Sequence, residues 1–243
     1  MSVFLAEVRE TLVPARGTRH GPLPPLLVTM TILTGLVDAF SYLALGHVFV
    51  ANMTGNVVFL GFALAGAPGF SIAASLVALA SFFSGALVGG KVGSRLGEHR
   101  ARLLAAAALM QAVFLAASVV LAAVAGEAIG HEFRYALIVV LGTAMGVQNA
   151  TARRLAVPDM TTTVLTLTIT GTAADSALAG GKGSVSGRRL VAVTAMMVGG
   201  LLGAALVIHG HNVFPLVIAL VLIVSVAATT RILGRSDSPW VRP

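Results

Sequence analysis

One carboxylate lies well inside an apolar stretch of this chain: Asp38, within 26–46. At 1.5 Å per helical residue it sits about 3 Å from the middle of that stretch. A charged group there costs roughly 2.5–3.5 kcal/mol on insertion scales, so Asp38 must face protein and not lipid. Thr31, Thr34, Ser41 and Tyr42 fall at spacings of three, four and seven from it or from one another, which makes one stripe of the helix polar. Three kinds of chemistry suit such a group. It can carry a proton in a coupled step, coordinate a cation directly, or anchor a broken backbone nearby.

The second constellation is Asn52, Thr54, Gly55 and Asn56, at the centre of the otherwise apolar segment 47–66. Lipid cannot satisfy free backbone groups, so an apolar segment normally crosses as one unbroken helix. Asn, Thr and Gly cap and turn the backbone, and their presence here predicts an extended entrance followed by a helix restarting near Thr54 to Asn56. A related stretch occurs at 159–180, where Thr161, Thr162, Thr163, Thr166, Thr168, Thr170 and Thr172 crowd together. If that stretch also goes in extended, Thr166, Thr168 and Thr170 form a ladder of hydroxyls, with a helix N-terminus near Thr170 to Thr172. The alternative is threonine in a membrane helix, bonding back to the preceding turn. Free amides at two such N-termini would favour an anion. The candidate binding residues are therefore Asp38, Tyr42, Asn52, Thr54, Gly55, Asn56, Gln148, Asn149, Thr162, Thr166 and Thr170.

The elements that must position them follow from composition. Of 243 residues, 57% are hydrophobic and 10% charged, and mean hydropathy is +0.94. A soluble domain carries about 25% charged residues, so the chain belongs in a membrane. Apolar segments run at about 26–46, 48–66, 70–94, 101–126, 134–152, 160–180, 188–209 and 211–233. Eight crossings would strand the cluster Lys91, Arg95, Arg100 and Arg102 on the outer side. If 48–66 and 160–180 instead return to their own side, fifteen of the 16 basic residues lie inside and only Arg134 lies outside, with Glu127 and Glu132. Loop charge thus favours six spans with both termini cytoplasmic. The net charge of +7 is explained by those loops, so no nucleic-acid partner is expected.

The two halves repeat. Gly35-Leu36-Val37-Asp38-Ala39 matches Gly146-Val147-Gln148-Asn149-Ala150, and Ala63-Leu64-Ala65-Gly66 matches Ala177-Leu178-Ala179-Gly180. Gly89-Gly90 and Gly93 match Gly199-Gly200 and Gly203. Offsets of 111, 114 and 110 describe one unit used twice. Three crossings per unit insert the second copy upside down. The expected fold is an all-α polytopic membrane protein with six full spans, two broken or re-entrant segments and an inverted internal repeat. Its parts are a cytoplasmic N-terminal tail (1–25), repeats at 26–126 and 134–233, and a C-terminal tail (234–243). The two tips are expected to meet near mid-bilayer.

The run GLVDAFSYLALGHVFVANMTGNVVFLG, followed by MGVQNA and the threonine-rich segment, resembles the YoaK-like family of uncharacterised bacterial inner-membrane proteins. The resemblance extends from Leu26 to about Leu233. It departs at Thr166, which is followed by Leu167 where relatives tend to read Thr-Gly. It implies a membrane bundle of six to seven helices and no particular activity.

Gly85, Gly89, Gly93 and Gly97 recur every fourth residue, a face that serves close packing within the bundle or across a homodimer. There is no cysteine, and His209 and His211 lack a completing ligand set, so neither metal nor other cofactor is expected. Trp240 is expected to anchor the tail at the interface. No nucleophile and base pair is legible, so the chain is not expected to be an enzyme. A small transporter for a polar or anionic solute, coupled through Asp38, fits best. A passive channel and a partner-binding module are the alternatives.

Overall fold

The computed structural model of the chain describes residues 2–15, 17–126, 128–160, 162–163, 165–176, 179–180, 186–235 and 238–242. Glu127, Thr161 and the Ala177-Leu178 part of the second repeat motif lie outside them. The described residues form nine α-helices and no strand: α1 (Ser2–Leu12), α2 (Leu23–Ala44), α3 (Met53–Leu64), α4 (Ile72–Leu96), α5 (Arg100–Ala125), α6 (His131–Leu155), α7 (Leu165–Ala174), α8 (Ser186–Ile208) and α9 (Phe214–Leu233). A 3-10 turn, Pro239–Val241, follows. Six of these helices are long and apolar enough to cross a membrane; α1, α3 and α7 are short, and α3 and α7 fall between spans. This is the expected polytopic all-α arrangement.

Local chemistry sets the helix ends. Prolines in the first turn of α2 start it, where no amide hydrogen is needed. Gly46 at φ 86° and His47 at φ 56° stop it, with the His47 amide donating to the Tyr42 carbonyl at 3.0 Å. The His99 side chain accepts the Arg102 amide at 3.2 Å and opens α5. Glu7 on α1 accepts the Gly187 amide at 2.8 Å, placing a carboxylate at the positive end of α8.

Contacts between chain ends fix the direction of each span. The Arg100 guanidinium donates to the carbonyls of Arg19 and Leu155, which puts the starts of α2 and α5 beside the end of α6. Arg154 lies against Gly93 and Gly97, and Ala101 against Gly234, so α4 and α9 also finish there. At the far end Arg134 lies over Gly46. Consequently α2 and α4 run in opposite directions, as do α6 and α8. Each short helix sits between two such opposed spans, so its flanks emerge at the same end. For the first segment this closure is direct: His47 Nδ1 is 2.9 Å from the Gly69 carbonyl oxygen.

Packing obeys the repeat. α2 lies on α8 as α6 lies on α4, α2 touches α9 as α6 touches α5, and α5 crosses α9 between the halves. The central pair is α2 and α6, whose most apolar stretches are 72% and 61% buried against 22–33% for the other spans. Both seams are glycine-lined. A Cβ on Gly85 would strike the Thr143 carbonyl, and one on Gly199 the Ile32 carbonyl. One on Gly89 would meet Val147 and Ala150, and one on Gly203 would meet Leu36 and Ala39. Gly146 faces Phe82 and Ala86, as Gly35 faces Met196 and Gly200. Positions in α2 and α6 thus differ by 111, and those in α4 and α8 by 114.

This corrects two expectations. The match of Gly89 with Gly199 is one helical turn out of register, because the contacts pair Gly89 with Gly203 and Gly85 with Gly199. The run Gly85, Gly89, Gly93 is covered by α6 within the chain, so it is not a face for a homodimer. Close approach of backbones is what lets two helices pack where lipid supplies no hydrophobic drive.

The seams are testable by contrast. Gly85→Ala and Gly199→Ala should each lower stability by about 1–3 kcal/mol, as overpacking does. Gly90→Ala and Gly200→Ala, where the added methyl meets nothing within 4 Å, should change it by less than about 0.5 kcal/mol. Thermal midpoints in one detergent compare the four.

Candidate functional site

The first broken segment is held by three polar side chains. Chain 48–52 is neither helix nor strand and bends at Val50 and Ala51 rather than running extended, and its amides would be unpaired without help. One Asp38 oxygen accepts the Val50 amide at 3.0 Å and the Ala51 amide at 2.9 Å. The other accepts the Asn52 side-chain amide at 2.5 Å. Asn56, fully buried in the first turns of α3, accepts the Phe49 amide at 2.9 Å and donates to the Phe49 carbonyl at 2.5 Å. Asn52 precedes α3 but does not cap it, because its amide is turned back to Asp38. Both Asp38 oxygens are therefore committed to the chain itself, and the carboxylate acts as the anchor of a broken backbone.

Aromatic rings close the mouth above this tip. Tyr42 stands 5.1 Å from the rings of His47 and Phe49 and 5.8 Å from Phe59, and Phe59 continues to Phe62 and Phe70. Gly55 belongs here for steric reasons, since a Cβ would run into the Phe49 ring at 2.7 Å. Thr54 faces outward and joins neither group.

The second broken segment is built differently. Asn149, the repeat partner of Asp38, accepts the Thr163 hydroxyl at 2.5 Å and donates to the Met145 carbonyl at 2.9 Å. Thr163 stands 111 positions after Asn52, so one pairing recurs in each half with different chemistry. Ala156, Asp159 and Thr162 take positive φ values of 49°, 61° and 62°. For a β-branched residue such as Thr162 that backbone is an outlier, and strain of this kind costs about 1–3 kcal/mol and gathers at working sites. Its hydroxyl is buried with no hydrogen-bond partner. Beside it opens a cleft of about 1120 Å³, lined by Asn149, Thr163, Arg153 and Arg154 on one side and by Gly89 and Gly93 of α4 on the other. The flanks of the segment are tied by Arg189, which reaches Asp159 at 3.0 Å and Asp175 at 2.8 Å.

A family model described as "Protein of unknown function (DUF1275)" matches residues 26–229. The chain belongs to that family. Over 149 residues it is 34% identical to a protein of Bacillus subtilis (strain 168) described as "UPF0700 transmembrane protein YoaK", covering 59% of this chain and 63% of the relative. The chain thus spans under two thirds of that relative's length. No solved structure matches it. The family resemblance read from the motifs around Asp38 and Gln148 holds, and so does the membrane assignment.

Within this DUF1275 chain the predicted site residues separate into four groups. Asp38, Asn52 and Asn56 come together at the first tip, with Tyr42 and Gly55 in its aromatic cover. Asn149 and Thr162 fall at the second tip, together with Thr163. Thr166 and Thr170 do not form a hydroxyl ladder, because α7 begins at Leu165 and not near Thr170. One helical turn apart, they share an outward face, and Thr172 bonds back to Thr168 at 2.8 Å as a threonine in a helix does. Gln148 is in neither tip: fully buried, it accepts from Gln111 at 2.6 Å and donates to Thr34 at 2.8 Å, joining α5, α6 and α2.

The two tips also keep apart, since the helix packed on α3 is α4 and the one on α7 is α8. The residues missed by sequence reasoning are Gln111, Arg153, Arg154 and the Arg189 tie. Gln111 carried a signal, as a lone amide in the middle of an apolar span; the arginines look like ordinary loop charge until the cleft is seen. Trp240 is not an interfacial anchor but is buried against Gly21.

Asp38→Ala strands three donors in a buried place, each worth about 1–3 kcal/mol, and should destabilise the fold strongly in a detergent melt. Gln111→Leu and Gln148→Leu should each cost about 1 kcal/mol. Their double variant should cost less than the sum, since the second change removes a partner already orphaned.

Proposed function

We propose that this protein is a small transporter that carries a polar or anionic solute past the second tip by an alternating motion of two symmetry-related groups, α2 with α8 and α9 against α6 with α4 and α5. The observation that carries it is the asymmetry of two equivalent places. The first tip is satisfied by its own chain and covered by rings. The second is strained, holds a buried hydroxyl without a partner, and adjoins a cleft. Inverted repeats that reach the bilayer with one side open and the other closed suit alternating access. In this reading the segments 47–69 and 159–180 are re-entrant, and the basic end of the bundle is cytoplasmic in an inner membrane. Thr163 and Asn149 would hold the solute, Arg153 and Arg154 would draw an anion in, and the Arg189 tie would close behind it. Asp38 holds the first tip, and coupling through it is set aside because both of its oxygens are occupied.

The cysteine-free chain permits a direct test in proteoliposomes. Thr163→Cys should react with an impermeant thiol reagent from the basic side at rest and from the far side as well once solute turnover is under way, whereas Gly66→Cys should react only from the far side. A panel of small organic anions and amides should include one whose exchange saturates, is stimulated by solute on the far side, and falls at least about tenfold in Asn149→Leu, a transition-state loss of roughly 1.4 kcal/mol. Flux that rises linearly with concentration and shows no such stimulation would establish the channel instead. Labelling of Thr163→Cys from neither side, or from the basic side alone even during solute turnover, would remove the alternating site.

A further inference from the structure

We propose that a second cleft, at the basic end between α5, α9 and the folded-back C-terminal turn, binds the headgroup of an anionic phospholipid. The cleft has a volume of about 560 Å³. Arg102 of α5, Arg231 and Arg235 at the end of α9, Arg242 of the tail and His99 line it, and no carboxylate among the described residues does. None of the four guanidinium groups has an ion-pair or hydrogen-bond partner among the described residues. Arginine forks match the oxygens of a phosphodiester. The surrounding field is positive as well: His20, with Arg100, Arg188 and Arg19 about it, is held below the ordinary histidine range by burial first and those charges next.

Loop arginines follow from topology alone, so convergence has to be shown. Here it is built. Trp240 and Val241 are each 4% exposed. A Cβ on Gly21 would lie 2.5 Å from the Trp240 ring, so a bare glycine is what admits that ring. Burial of these two residues folds the tail onto α5 and sets Arg242 opposite Arg102. The rest of the wall selects the ligand. Ala105, Ala106 and Leu109 carry the cleft away from the arginines along α5, for about 10 Å at 1.5 Å per residue. Free phosphate would use only the charged part. A lipid uses both, with its phosphate among the arginines and an acyl chain along the alanine face. Basic pockets between spans at a membrane surface have this chemistry.

The full chain, extracted in mild detergent, is tested by native mass spectrometry and thermal melting with added phosphatidylglycerol, phosphatidylcholine or inorganic phosphate. Phosphatidylglycerol should be retained and raise the melting midpoint, and phosphatidylcholine should not. Each arginine near such a headgroup is worth roughly fivefold in affinity. Retention should therefore weaken on the order of a hundredfold in the triple variant Arg102→Gln, Arg231→Gln, Arg242→Gln, whose changes are exposed and leave the fold intact. Trp240→Ala should weaken it too, by freeing the tail. Equal retention of both lipids, or unchanged retention in the triple variant, overturns the proposal. Stabilisation by inorganic phosphate equal to that by phosphatidylglycerol overturns its lipid part and makes the cleft a site for a soluble phosphate.

Discussion

A backbone that leaves the helix inside a bilayer must find its hydrogen-bond partners within the protein, and this fold is arranged around that constraint. Asp38 is the instance on which the first half turns. A single carboxylate on the most buried span accepts two consecutive amides and one side-chain amide from a non-helical strip whose amides would otherwise be unpaired there. Asn56 completes the strip from the other side by pairing with both polar groups of Phe49. A charged acceptor suits this task because it takes several donors at once and bonds each more strongly than a neutral oxygen.

Close packing then makes the bundle. Lipid gives helices no reason to associate through apolar side chains, so the spans meet through glycine seams where backbone touches backbone. The same seam is used twice, and its register can be read residue by residue from what a methyl group would strike. The buried link of Thr34, Gln148 and Gln111 crosses between the halves near the central pair. That link and the packing of α5 on α9 join the two seams into one bundle.

Duplication also left the two tips free to diverge. Where the first copy has Asp38 the second has Asn149, and where the first has Asn52 the second has Thr163. The second tip has a neutral amide where the first has a charged acceptor, and its described backbone holds Ala156, Asp159 and Thr162 in the left-handed region. The tip with this backbone and the unpartnered Thr162 hydroxyl is also the one beside a large cleft. That coincidence is the physical content of the functional reading.

The sequence by itself determined the class of protein, the six long spans, the interrupted segments and the pairing of Asp38 with Asn149. Those follow from hydropathy, loop charge and local repetition, which are properties of neighbouring residues. It also pointed to Asn52 and Asn56, because amides are costly in lipid wherever they fall. Only the tertiary structure decided what those residues face. Gln148 and Asn149 are adjacent in sequence and point to different neighbours, a closed core link and an open cleft. The Gly89 and Gly199 motifs look alike, yet lie one turn apart in use, because a repeat of four glycines reads the same when shifted by four. The threonines of 159–180 carry no mark of whether they stand extended or helical, since their hydroxyls suit either backbone. Arg242 shows the limit most clearly. Nothing local to the tail says that Trp240 folds under Gly21, and that one contact turns a loose charge into the wall of a site.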